Sequence, residues 1–150
     1  MPLSNITTAM QSILAGVTGV GNVYSYRRWA ADEATFRKLF TESGTILAWT
    51  ITRESTRRER FEQGRYDYHT MIMRGFLGTK DSTATELTFQ NLVETINNVF
   101  EANTSLMMNG TANAIYAEAV QVRKVDYVKY GEYLCHFAEL EMVVTDVVSP

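Results

Sequence analysis

The sequence predicts an α+β fold: a mainly antiparallel, four- to five-stranded sheet with helices packed against it, in a single domain covering residues 1–150. Three observations predict it. Apolar residues recur at three- and four-residue spacings in some segments and alternate in others. Consecutive alternating segments are joined by short turns, which makes them antiparallel hairpins. The chain has 150 residues, 45% of them hydrophobic, with no internal repeat or linker, so one core suffices without disulfide or metal.

The elements follow in order. Ser4 caps a first helix with Ile6, Met10, Ile13 and Leu14 on one face, and Gly16, Gly19 and Gly21 end it. A short strand spans Asn22 to Tyr26. Asp32 is the N-cap of a second, short helix with Phe36, Leu39 and Phe40 inward, which Glu42-Ser43-Gly44 breaks. The strand Thr45–Thr52 puts Leu47, Trp49 and Ile51 on one face and Ile46, Ala48 and Thr50 on the other. The strand Arg65–Phe76 sets Tyr66, Tyr68, Thr70 and Ile72 against Asp67, His69, Met71 and Met73, and Gly75 and Gly78 mark its end. Apolar groups on both faces predict a sheet covered on much of both sides. Thr83-Ala84-Thr85-Glu86 matches a capping box. It opens a helix with the stripe Phe89, Leu92, Val93, Ile96, Val99 and Phe100, which ends by Asn103 and Asn109-Gly110. Two strands close the chain, about Ile115–Val125 and Tyr133–Val144, with a turn near Lys129-Tyr130-Gly131. Leu134, His136, Ala138, Leu140, Met142 and Val144 share one face, and the tail from Val147 to Pro150 is expected to be loose.

Charge is unevenly placed. The net charge of -3 excludes a nucleic-acid binder that works by bulk electrostatics. Residues 53–65, between the two central strands, hold five arginines, three glutamates and no lysine, a local +2 that leaves -5 elsewhere. Arg53, Arg57, Arg58, Glu59, Arg60, Phe61 and Arg65 form a candidate interface, because planar guanidinium forks grip carboxylates and phosphates in pairs. The plainer reading is a solvated hairpin tip whose charges only keep it soluble. Phe61 is its one apolar residue, which predicts mobility in the free subunit. Cys135 is the only cysteine, so no intrachain disulfide forms and an intracellular origin is expected; its apolar strand predicts a buried, inert thiol. No basic region followed by an apolar run opens the chain, so no signal peptide is expected. No apolar stretch approaches the roughly 18 residues of a membrane span.

The search for chemistry returns few candidates. Gly16-Val17-Thr18-Gly19-Val20-Gly21 follows a helix, has the wrong spacing for a dinucleotide loop, and lacks the lysine that closes a phosphate loop, so it reads as a connector. His69 and His136 lie on different strands. Were those strands neighbours, the two could meet with Glu139 or Cys135 near a metal, although no ligand spacing supports it. No serine sits in a nucleophile elbow. Glu139 and Glu141 read as an exposed strand face. Tyr24, Tyr26, Arg27, Arg28 and Trp29 mix aromatics with cations, as a base-stacking platform does; an interface patch or simple packing is the better reading, since aromatics and arginine are also enriched at protein interfaces.

The order of residues carries a resemblance. Gly19-x-Gly21-x-Val23-Tyr24 leads to Arg28-Trp29-Ala30, Phe36 and Leu39-Phe40. Trp49-x-Ile51-Thr52-Arg53 and Ile72-Met73-Arg74-Gly75-Phe76 precede the capped helix, and Leu134-Cys135-His136-Phe137-Ala138-Glu139-Leu140 follows. Over roughly residues 12–145 this combination resembles the tail terminator (tail completion) proteins of long-tailed bacteriophages.

The resemblance implies a structural virion protein, assembled in the host cytoplasm, with no catalysis and no cofactor. Such a protein forms a homo-oligomeric ring, expected to be a hexamer, on the last ring of the tail tube. It stops tube polymerisation and presents a surface to a head-side connector, with the tail sheath protein a further candidate neighbour. DNA passes through the channel without being read. A ring needs unlike surfaces to meet, and six copies of the +2 segment would total about +12 around one axis. The expectation is that Arg57, Arg58, Arg60 and Phe61 reach a neighbouring subunit or the tube; the alternative is that they face DNA in the channel. Two other classes stay open: a head-completion or stopper protein of the neck, and a small enzyme with paired histidines in a cleft.

Overall fold

A computed structural model describes residues 3–25, 41–42, 45–79, 85–106, 114–130 and 133–148. In chain order the elements are α1 (Leu3–Ala15), β1 (Asn22–Tyr24), β2 (Thr41–Glu42), β3 (Thr45–Phe61), β4 (Gly64–Gly78), α2 (Thr85–Glu101), β5 (Ala114–Ala117), β6 (Gln121–Tyr130) and β7 (Tyr133–Val148). The expected second helix from Asp32, the turn at Gly131, Thr83 of the capping box and Asn109-Gly110 lie outside the described residues.

Burial follows the periods. In α1 the buried residues are Ile6, Met10, Ile13 and Leu14, and in α2 Phe89, Leu92, Val93, Ile96 and Phe100. α1 begins at Leu3, so Ser4 sits in its first turn and not at the cap; Thr7 Oγ1 donates back to the Leu3 and Ser4 carbonyls. Gly19 and Gly21 have φ of 92° and 75°, which a side chain rarely tolerates, and they turn the chain into β1. α1 packs over β1 and β3, and α2 over β4 and β7. Trp49 on β3 lies stacked under Phe89 of α2, ring centroids 6.2 Å apart.

The sheet runs β1-β3-β4-β7-β5, with β2 beside β3 and β6 beside β7. β1 pairs with β3 in parallel and the remaining pairings among the described residues are antiparallel, so the sheet is mixed. The parallel pairing of β1 with β3 requires a crossover of a dozen residues or more between them. The expected four to five strands become seven because two-residue β2 is added and the predicted Ile115–Val125 strand divides into β5 and β6, both paired with β7.

Two expectations about strand ends are corrected. Residues 53–61, expected to be a mobile tip, continue β3 to Phe61, and the turn is only Glu62-Gln63. β4 is held on its other side by β7 out to the pair Arg65↔Val148. Val147 and Val148 are therefore strand residues, not a loose tail. Backbone pairing on β4 orders the segment although its side chains are polar.

The face away from the helices is concave. β3 carries a bulge at Glu54 and β6 a bulge at Arg123. These two unmatched residues meet: Arg123 Nη1 lies 2.9 Å from Glu54 Oε2. β4 and β7 run between them, a distance of about 14 Å in a flat sheet. Bulges increase local twist and bend, and here they curl the sheet until its outer strands are bridged. Ile46, Ala48, Thr50, Ile72 and Cys135 are buried on this face, separate from the main core on the helix side.

Candidate functional site

The candidate site is the outer edge of β3 from Arg53 to Phe61. β1 covers β3 only from Ala48 to Thr50, and no strand among the described residues pairs beyond it. The pleat sorts the side chains. Opposite Met71, His69, Asp67 and Arg65 stand Arg53, Thr56, Arg58 and Arg60, on the helix side. Opposite Thr70, Tyr68, Tyr66 and Gly64 stand Ser55, Arg57, Glu59 and Phe61, on the concave side.

Much of the local charge is already engaged. Arg57 stacks over the Tyr68 ring at 4.1 Å and pairs with Glu59 at 3.2 Å. Arg58 and Arg65 converge on Asp67, at 3.2 and 3.1 Å. Arg53 reaches Thr56 Oγ1 at 3.4 Å. Arg60 lies directly opposite Arg65 and has no ion pair among the described residues. Phe61 closes the edge, packed on Tyr66 with centroids 4.7 Å apart. Surface pairs of this kind contribute little to stability. They do orient guanidinium groups on a preformed strand, which lowers the cost of ordering them against a partner.

Beneath the arginines lies a buried group the sequence reading missed. Asp67, His69 and Asp146 offer donor atoms all within 4.8 Å of one another. His69 Nδ1 shares a 2.8 Å hydrogen bond with Thr56 Oγ1. Burial lowers the His69 pKa from 6.5, against the upward pull of Asp67 and Asp146. These oxygen and nitrogen donors are of the type that holds zinc or manganese. Arg58 and Arg65 already hold the Asp67 carboxylate, however. Those two ion pairs offset the cost of burying Asp67. The group's signal in the sequence was the same-face pair Asp67 and His69; Asp146 was missed because the last strand was ended at Val144.

The two histidines do not meet. β4 and β7 are neighbours and both histidines face the helices, but His69 pairs with Val144 and His136 with Leu77. They stand eight residues apart along β7, about 26 Å. Cys135 and Glu139 point to the other face. His136 instead shares a 2.8 Å hydrogen bond with Thr85 Oγ1 beside a cleft of about 100 Å³ lined by Glu86, Phe89 and Tyr127. That is below the roughly 300 Å³ of an ordinary small-molecule site. Glu139 and Glu141 are not a free surface pair. Arg74 holds Glu139 at 2.9 Å, and Arg123 lies 3.8 and 3.6 Å from the two carboxylates. Burial pushes the Cys135 thiol up to about 11, which makes it inert as expected.

Of the second candidate patch, Tyr24 ends β1 opposite Thr50 and is partly buried, while Tyr26, Arg27, Arg28 and Trp29 lie outside the described residues. No helix among the described residues is long and apolar enough to cross a membrane. Compared with known proteins, the chain matches no family model and no curated sequence.

Proposed function

We propose that this chain is a structural bacteriophage protein, a tail terminator that assembles into a ring of identical subunits on the end of the tail tube. The ring, a hexamer in this reading, stops tube growth and offers its other side to the head-side connector. Its place is the virion tail, where DNA passes through the channel unread.

The observation that supports this is the exposed arginine edge of β3. It is a long, ordered strand edge with charge on both faces. Charged side chains and the Glu54 bulge oppose indiscriminate strand addition, while guanidinium forks favour a chosen partner. The edge lies on the α1 side of the subunit, and α2 lies over β4 and β7. Two surfaces that differ suit the head-to-tail contacts of a ring.

The test is capping of purified tail tubes by protein in which Arg57, Arg58 and Arg60 are all serine. Reduced capping is expected. Unchanged capping removes this edge from the mechanism, and intact capping with lost salt-dependent DNA affinity moves the arginines to the channel. Particles made without the protein distinguish the neighbouring roles. Abnormally long tails mark a terminator, whereas tails of normal length with unjoined heads mark a head-completion or stopper protein.

A further inference from the structure

We propose that the arginine edge of β3 in one copy docks, head to tail, on the outer face of α2 in a second copy. The inference rests on the self-association just proposed and names the two surfaces that meet.

α2 is the complement of that edge. Thr85–Glu101 contains Glu86, Glu94 and Glu101 and no lysine or arginine. All three are exposed, and none forms an ion pair among the described residues. At about 100° per residue they fall within an arc of about 80°, with Gln90 between them, and extend about 22 Å along the axis. The arginine edge from Arg53 to Arg60 extends about 23 Å. Both surfaces are ordered and of about one length.

Glu101 is a second sign. It occupies the last turn of α2, where the helix dipole disfavours an anion. Its placement weakens the isolated helix, which a cation from outside the subunit would offset. Each surface also has an apolar end. Phe61, 37% exposed, follows Arg60, and Leu87, 66% exposed, follows Glu86. Bringing these ends together fixes the polarity of docking, with Arg60 toward Glu86 and Arg53 toward Glu101.

The position of the surfaces makes the contact intermolecular. α1 packs over β1 and β3, and α2 over β4 and β7. Among the described residues no arginine of the edge pairs with a glutamate of α2 in the same subunit, so the contact is made between copies and repeats from one to the next. Nucleic acid is a poorer match for the edge, because Glu54, Glu59 and Glu62 interleave its arginines and would face the phosphates.

The experiment reverses each surface separately in the full chain, as Arg57→Glu with Arg60→Glu and as Glu94→Arg with Glu101→Arg. Thermal unfolding checks that both variants fold, and assembly is read by sedimentation and by capping of tail tubes. Each variant alone is expected to assemble about tenfold more weakly or worse, since like charges then face each other. An equal mixture is expected to recover assembly, because every contact between the two variants again pairs opposite charges. If the wild type assembles and each variant does so equally well, or the mixture stays apart, the proposed surfaces are wrong and the ring reading survives. A wild type that neither self-associates nor caps tubes overturns both.

Discussion

Replacing Gly75 with alanine tests the packing that joins the sheet to α2. Gly75 stands opposite Trp49 in the β3–β4 pairing. A methyl group built there would enter the indole at Cε2, Cζ2 and Cδ2. Trp49 cannot retreat, since it is fully buried and stacked on Phe89 with an interplanar angle of 25°. Overpacking of such a site costs about 1–3 kcal/mol. Alanine also restricts the unfolded chain, a gain of about 0.4–1 kcal/mol. The expected net loss is about 1–2 kcal/mol, and each kcal/mol lowers Tm by about 2–4 °C in a domain of this size. Urea unfolding followed by circular dichroism measures it. Gly78→Ala is the control: its methyl would meet Ile46 at 3.6–3.8 Å, ordinary contact, so little change is expected. In a Trp49→Phe background the fused ring is gone, and the Gly75→Ala cost should shrink by about 1 kcal/mol. A Gly75→Ala protein as stable as Gly78→Ala, or an equal cost in both backgrounds, refutes the reasoning.

His69 predicts an acid-sensitive fold. Its pKa is lowered in the folded state, so as pH falls the unfolded chain binds this proton first. Stability is full above about pH 6.5 and declines below it, at up to about 1.4 kcal/mol per pH unit, until the lowered folded value is passed. His69→Asn should flatten that part of the urea-midpoint profile, and an unchanged profile rejects the assignment. Cys135, with its thiol pushed up to about 11, should react slowly with a thiol reagent in the folded protein and rapidly in urea. Rapid labelling of the native protein would contradict its burial.

Element type and facing were legible where a period was clean. The stripes of α1 and α2 and the two faces of β3, β4 and β7 are those that spacing predicts, because burial of one face is what a repeating apolar pattern encodes. The arginine edge was legible as a cluster but not as a strand. Arg53–Phe61 has no apolar alternation, and it is ordered by backbone bonds to β4, which β7 supports in turn. The join of β5 and β6 was misread because one alternating run passes through Glu118 and Val120, and only pairing with β7 shows the break.

Composition and local spacing alone determined an α+β chain, the amphipathic helices α1 and α2, an inert buried cysteine and basic charge concentrated in residues 53–65. Register decided the rest. It separated His69 from His136, gathered Asp67 and Asp146 under Arg58 and Arg65, and brought the bulge residues Glu54 and Arg123 together across two strands. A single-residue shift in strand pairing turns every side chain to the opposite face. Contacts between residues distant in the chain therefore depend on the closed network of sheet hydrogen bonds, which no local pattern contains.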